Sequence, residues 1–145
     1  MTAGRLVLLV ISPRVAPGLL TAAAWDVLRA GRVLVASADH PQVEAMRAAG
    51  IEPEPVGSMT PTALVDQAVT GTVVWVGSPD GDPGLADGIA VELTARAAPG
   101  RSSPVVEVMT GSYDLPGARL LDLVTVMDRL RSPGGCPWDQ GQTHR

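Results

Sequence analysis

Short apolar runs, each closed by glycine, proline or a small polar residue, constrain this chain more than any other feature. They lie at residues 5–11, 33–36, 72–76 and 105–109, and carry little polar alternation. A strand with one face in water alternates apolar and polar residues, whereas a strand covered on both faces reads as a continuous apolar run. Four strands are therefore expected, with those at 5–11 and 72–76 buried. Helical patterns separate them, at 19–30, 41–49, 61–69 and 85–98, with a final helix at 116–131. In the first, Leu20, Ala23, Ala24, Val27 and Leu28 share one stripe, and Gly31 stands where a left-handed cap belongs. Pro41 opens the second helix and Gly50 follows its end. Thr60 is the expected cap of the third, with Gly71 as its stop, and Asp114 that of the last. Two prolines in 51–56 restrict that stretch to an edge strand or an extended loop. Regular alternation of strand and helix predicts an α/β fold, a Rossmann-like parallel sheet with flanking helices, over residues 5–110.

Composition removes several classes of function. At 145 residues with 46% hydrophobic content, the chain can bury a real core. Its longest apolar run, residues 6–11, falls far short of the ~20 residues that span a bilayer. No cleavage pattern of small residues follows that run closely, so the expected location is cytoplasmic, with no membrane partner. All 11 basic residues are scattered arginines and the net charge is −4. No basic stripe exists to neutralise a phosphate backbone, which argues against a nucleic-acid partner. Cys136 is the single cysteine, and the only histidines, His40 and His144, are far apart, so no zinc-ligand spacing exists. Cys136 lies between Gly135 and Pro137 without a nearby base, and reads as a packed thiol rather than a nucleophile. His40 before Pro41 reads as a helix-entry residue.

The first turn, Ile11-Ser-Pro-Arg-Val-Ala-Pro-Gly18, has neither G-x-G-x-x-G nor a Walker pattern, and a dinucleotide or P-loop site is unsupported. The order of strand, Pro17-Gly18 turn, Leu19-Leu20-Thr21, small-residue helix, strand and His40-Pro41 resembles the first half of the tetrapyrrole methylase fold. Gly81-Asp82-Pro83 stands where that family carries a Gly-Asp-Pro signature at its S-adenosylmethionine pocket. The resemblance implies a degenerate methylase-like domain over 1–112, with Gly81, Asp82 and Pro83 as a remnant cofactor pocket. On chemistry alone, the dense turn signal of residues 78–83 reads equally as a plain turn.

The C-terminal segment is more specific. Gly135-Cys-Pro-Trp-Asp139, with Gln142-Thr143 a short step on, resembles the opening of the MazG-type nucleoside triphosphate pyrophosphohydrolase module. The resemblance implies a module beginning at 113–145, hydrolysis of a nucleoside triphosphate to monophosphate and diphosphate, and Mg²⁺ held by helical carboxylates. Those carboxylates would lie beyond Arg145, and Glu107 is the last glutamate. The expectation is therefore a truncated module, a chain that binds no metal and is inactive by itself, and a homodimer by family habit. Trp138 offers a face on which a base could stack, or a loop anchor. Asp139 could assist at the triphosphate, or cap a following helix with Gln142 in a capping box. In the preceding helix, Leu120, Leu123, Val124, Met127 and Leu130 share a face that suits either a partner helix or the domain's own sheet. The tail from 132 on is rich in glycine and polar residues and is expected to be exposed and poorly ordered. A purely structural N-terminal domain is the reading that needs no site.

Overall fold

The computed structural model describes residues 4–97 and 101–142. Five strands form one sheet: β1 (Arg5–Val10), β2 (Arg32–Val35), β3 (Glu54–Pro55), β4 (Thr72–Val76) and β5 (Val105–Thr110). All pairings are parallel, in the order β3-β2-β4-β1-β5. Successive side chains of a strand point to opposite faces. Val7, Leu9, Val33, Val35, Val74 and Val76 thus pack on one side with α1 (Ala22–Ala30) and α2 (Val43–Ala48). Leu6, Leu8, Leu34, Val73 and Trp75 pack on the other with α3 (Pro61–Gln67) and α4 (Leu85–Arg96). Both faces are covered along β1, β2 and β4, which read as unbroken apolar runs, whereas β5, an edge strand, keeps Val105 and Val108 exposed despite its apolar sequence.

The crossovers set the position of the site. The chain steps from β1 past β4 to β2 and on to the β3 edge, then returns to β4 and steps past β1 to β5. The first two steps use α1 and α2 and the last two use α3 and α4, on opposite faces, as right-handed crossovers require when direction reverses. Adjacent β1 and β4 therefore send their connections in opposite directions, and their carboxyl ends form a topological switch point, where open α/β sheets hold ligands. Ion pairs brace both sheet margins: Arg5 to Glu107 at 2.6 Å between β1 and β5, and Arg32 to Glu54 at 2.8 Å between β2 and β3. Both are half-exposed, so solvent screens them and they contribute little to stability.

Local details depart from the sequence expectation for identifiable reasons. A fifth strand forms at 54–55, held to two residues and the sheet edge because Pro53 and Pro55 cannot donate to a ladder. The first helix begins at Ala22 instead of 19, since the Thr21 backbone N–H is engaged by the Gly111 carbonyl at 2.8 Å while its side chain caps Ala24. Thr60 caps α3 in the same way, through Ala63 at 3.2 Å. Gly31 is not left-handed: its φ is −116°, ordinary extended backbone. Space explains the glycine, because a Cβ there would lie 3.0 Å from methyls of both Thr72 and Val74. Ala98, expected at the end of the fourth helix, lies outside the described residues.

The chain divides into two compact units, Met1–Tyr113 and Asp114–Arg145. The second holds α5 (Leu120–Arg131) and the one-turn α6 (Pro137–Gln140), and no residue of either helix is buried. The expected start of α5 at 116 under an Asp114 cap is not found. Gly117 turns left-handed at φ +83°, and the helix starts at Leu120 behind Arg119, which makes no side-chain cap. The 132–135 turn folds back on the end of α5 so closely that a Cβ on Gly135 would lie 2.3 Å from the Arg129 carbonyl oxygen. The tail is exposed, as expected, but its described part includes α6 rather than being without regular structure.

Candidate functional site: the cleft at the carboxyl ends of the sheet

Three connections converge at the switch point: residues 11–21 after β1, 36–42 after β2 and 77–84 after β4. The last is wound tightest. Gly81 and Gly84 have φ of +81° and +80°, and Asp82, unusually for a residue with a Cβ, has φ +47°. Hydrogen bonds hold this conformation. The Asp82 carboxylate accepts from the Trp75 indole N–H at 2.9 Å and the Ser78 backbone N–H at 3.0 Å, and it also takes the Ser78 hydroxyl. Trp75 is a buried β4 residue, so its polar edge needs such an acceptor. The Ser78 hydroxyl lies between Asp82 and Asp80. That hydroxyl first, and the Asp82 backbone N–H second, hold the Asp80 carboxyl below its ordinary value of 3.8.

Gly81, Asp82 and Pro83 stand together in the sequence as the candidate remnant pocket. All three are in this loop, but Asp82 is a brace whose oxygens are engaged by the loop and by the strand beneath it. Beside it, on the α3–α4 side, opens a cleft of about 530 Å³. Its floor is apolar, from Ala36, Met59, Trp75 and Leu85, and its rim carries Ser78 and Asp80. Such a bowl can take a flat apolar group with hydroxyls or a cation at the rim.

On the α1–α2 side, His40 does what its place in the sequence did not suggest. It is 8% exposed, its Nδ1 accepts the Gln42 backbone N–H at 3.2 Å, and its Nε2 is 3.0 Å from the Gly77 carbonyl. With Nδ1 accepting, Nε2 is the ring nitrogen that donates, to the Gly77 carbonyl. His40 ties the connection after β2 to the one after β4. Gln42 extends the tie: its Oε1 accepts the Gly18 N–H at 2.8 Å from the connection after β1. Ser112, just past β5, adds a fourth strand end by accepting the Ser12 N–H at 2.9 Å. No pattern in the sequence marked Gln42 or Ser112, because their partners are 24 and 100 residues away.

Trp138 and Asp139 lie in the second unit. The Trp138 ring is 71% exposed on α6. Asp139 is inside that helix, where Cys136 holds the N-cap position without a side-chain bond, so the capping box with Gln142 is not formed. Instead the Gln142 backbone N–H donates to the Asp139 carbonyl at 3.3 Å. Gln140 closes the loop by donating to the Ser132 carbonyl at 2.5 Å. Cys136 is a free, partly exposed thiol. His144 lies outside the described residues. Among the described residues, no three of His, Cys, Asp and Glu come together as a group able to hold a metal ion. Nor is any helix among them long and apolar enough to cross a membrane.

Comparison with known proteins adds one relative. Over 70 residues the chain is 50% identical to a Streptomyces cacaoi protein described as an uncharacterized 26.1 kDa protein in the blaB 3′ region. The match takes in 48% of this chain and 26% of the relative, so the chain spans about a quarter of that protein's length. No protein-family model matches the chain, and no solved structure matches it.

Proposed function

We propose that this chain is the N-terminal portion of a nucleoside triphosphate pyrophosphohydrolase, an α/β unit followed by the opening of a MazG-type helical module. One observation carries the reading. α5 exposes Leu120, Leu121, Leu123, Val124, Val126 and Met127, buries nothing, and runs into the Gly-Cys-Pro-Trp-Asp turn. A helix so apolar is built to be covered. In this reading the covering elements are the module's further helices, which also bring the carboxylates for Mg²⁺.

The residues present do not fit the metal. Mg²⁺ takes converging oxygen ligands, usually carboxylates plus substrate phosphates, and the described residues offer no such group. No hydrolytic step is therefore assigned to this chain, and Trp138 is left with the role of a stacking face for the base. The test is release of diphosphate from a panel of nucleoside triphosphates with Mg²⁺, by this chain and by the protein read through the frame beyond Arg145. The expected result is turnover by the longer protein alone. Turnover by the 145-residue chain would misplace the active site, and an inactive longer protein would remove the reading.

A second reading has the 530 Å³ cleft in its favour. The α/β unit would hold S-adenosylmethionine against the 77–84 loop, with Asp82 acting through loop shape and not as a ligand. Equilibrium dialysis against that cofactor decides it: retention lost in Gly84→Val supports the pocket, and no retention by the wild type removes it.

A further inference from the structure

The second cavity at the switch point, on the α1–α2 side, contains a hydrogen-bond donor that the protein does not use. The cavity holds about 220 Å³. Ile11, Val15 and four prolines, Pro13, Pro17, Pro41 and Pro79, supply its walls, with His40 and Gln42 among the remaining lining residues. Proline rings fix their own backbone, so these walls are largely preformed. None of the lining residues is Asp, Glu, Lys or Arg. The His40 ring has both nitrogens engaged, by the Gln42 N–H and the Gly77 carbonyl.

Gln42 is 4% exposed, and its amide orientation is determined, because Oε1 must face the Gly18 N–H that it accepts. Its Nε2 hydrogens then point the other way, and no described residue accepts them. Among the described residues no side-chain nitrogen or oxygen sealed from solvent lacks a partner, so this amide nitrogen opens onto accessible space, and the cavity is the space that Gln42 lines. Oε1 retains a second lone pair beside those hydrogens.

We propose that this cavity binds an uncharged planar heterocycle with an amide edge, a carbonyl next to an N–H, of the kind a uracil-type base presents. The ligand carbonyl accepts from Gln42 Nε2 and the ligand N–H donates to the free lone pair of Oε1. The proline rings and the His40 ring pack around the guest. An isolated phosphate is excluded because no cationic side chain lines the walls. The volume is below the roughly 300 Å³ at which drug-sized pockets begin, which limits the guest to one ring system. The site lies wholly in the first unit and stands or falls independently of the pyrophosphohydrolase reading.

The chain has four glutamines and no asparagine, so only four side-chain amide pairs appear in a ¹⁵N-correlated NMR spectrum. Titration with uracil to millimolar concentration is expected to move the Gln42 pair saturably, together with the backbone amides of Val15 and Gly77. The Gln67 pair, on α3, is expected to stay still, and inorganic phosphate is expected to move none of them. Gln42→Glu keeps the acceptor for Gly18 but removes the donor, and is expected to weaken uracil binding about tenfold or more. The wild-type titration needs no variant to fold. A Gln42 pair that does not move, one that responds equally to phosphate, or a folded Gln42→Glu protein that binds uracil like the wild type would overturn the assignment.

Discussion

α1 and α5 are both amphipathic helices rich in aliphatic residues, yet they meet opposite fates. α1 buries Ala24, Val27 and Leu28 against the sheet. α5 is three residues longer, with Leu, Val and Met over more than half of its circumference, and it buries nothing. The difference is in what each unit provides. The first supplies a sheet whose two faces demand cover, so every helix there has a surface to meet. The second supplies only α6, four residues long. An apolar stripe states that a helix needs a partner and is silent on whether the chain contains one.

The sharpest test of this contrast pairs two leucine truncations. Leu34 in β2 is 0% exposed, and Leu34→Ala is expected to cost about 2–5 kcal/mol in urea unfolding, through lost burial and a residual cavity. Leu123 in α5 is 56% exposed, and Leu123→Ala is expected to change stability by less than about 0.5 kcal/mol. Equal costs would mean that α5 is covered in solution and would break the comparison.

A smaller loss is expected where the sheet-facing unit is tightly fitted. Gly31→Ala places a methyl against Thr72 and Val74 and should destabilise by about 1–3 kcal/mol, as overpacking does. A neutral or stabilising result would show that β4 gives way easily. Asp82→Ala should cost a similar 1–3 kcal/mol or less, because the buried Trp75 indole N–H loses its acceptor. It should also shift Trp75 fluorescence, best read in a Trp25→Phe, Trp138→Phe background. Unchanged emission would show that Asp82 does not brace the strand.

The smallest effect concerns pH. Arg96, 9% exposed, donates to Glu92 at 2.6 Å and to Asp66 at 2.7 Å, tying α4 to α3. The Arg96 guanidinium, and after it the Thr62 hydroxyl, hold the Glu92 carboxyl below its ordinary value of 4.5. A carboxyl whose folded value is depressed contributes stability that is fully present above the unfolded value and is lost as pH falls through the folded one. Unfolding midpoints should therefore decline below pH 4.5, and Arg96→Gln should flatten part of that decline. A variant with the wild-type acid slope would remove the Arg96 cluster as its cause.

Much of the first unit is legible in the sequence because its signals are local. Continuous apolar runs declare strands covered on both faces, Thr60-Pro61 declares a helix start, and the prolines of 53–55 declare an edge. Each depends on neighbours a few residues away, and the structure agrees for β1, β2 and β4, for the Thr60 cap and for the β3 edge, whereas the 105–109 run forms an edge strand, β5, that leaves Val105 and Val108 exposed. The helices begin at 22 and 120, away from the starts their periodic patterns indicate, because a contact or a left-handed glycine outside the pattern sets the boundary.

The site is legible only in part. Gly81-Asp82-Pro83 announces a turn, but not that Asp82 turns inward to Trp75. His40-Pro41 announces a helix entry, but not that the ring bridges to Gly77, 37 positions on. The sequence alone determined that this chain makes a parallel sheet with helices on both faces, since burial on two sides leaves its mark in the three inner strands, β1, β2 and β4. Tertiary structure alone decided the strand order, and with it which loops meet: β1 beside β4 brings residues 11–18, 40–42 and 77–82 together. That meeting is set by long-range pairing and crossover handedness, which leave no periodic trace in the residues that carry it out.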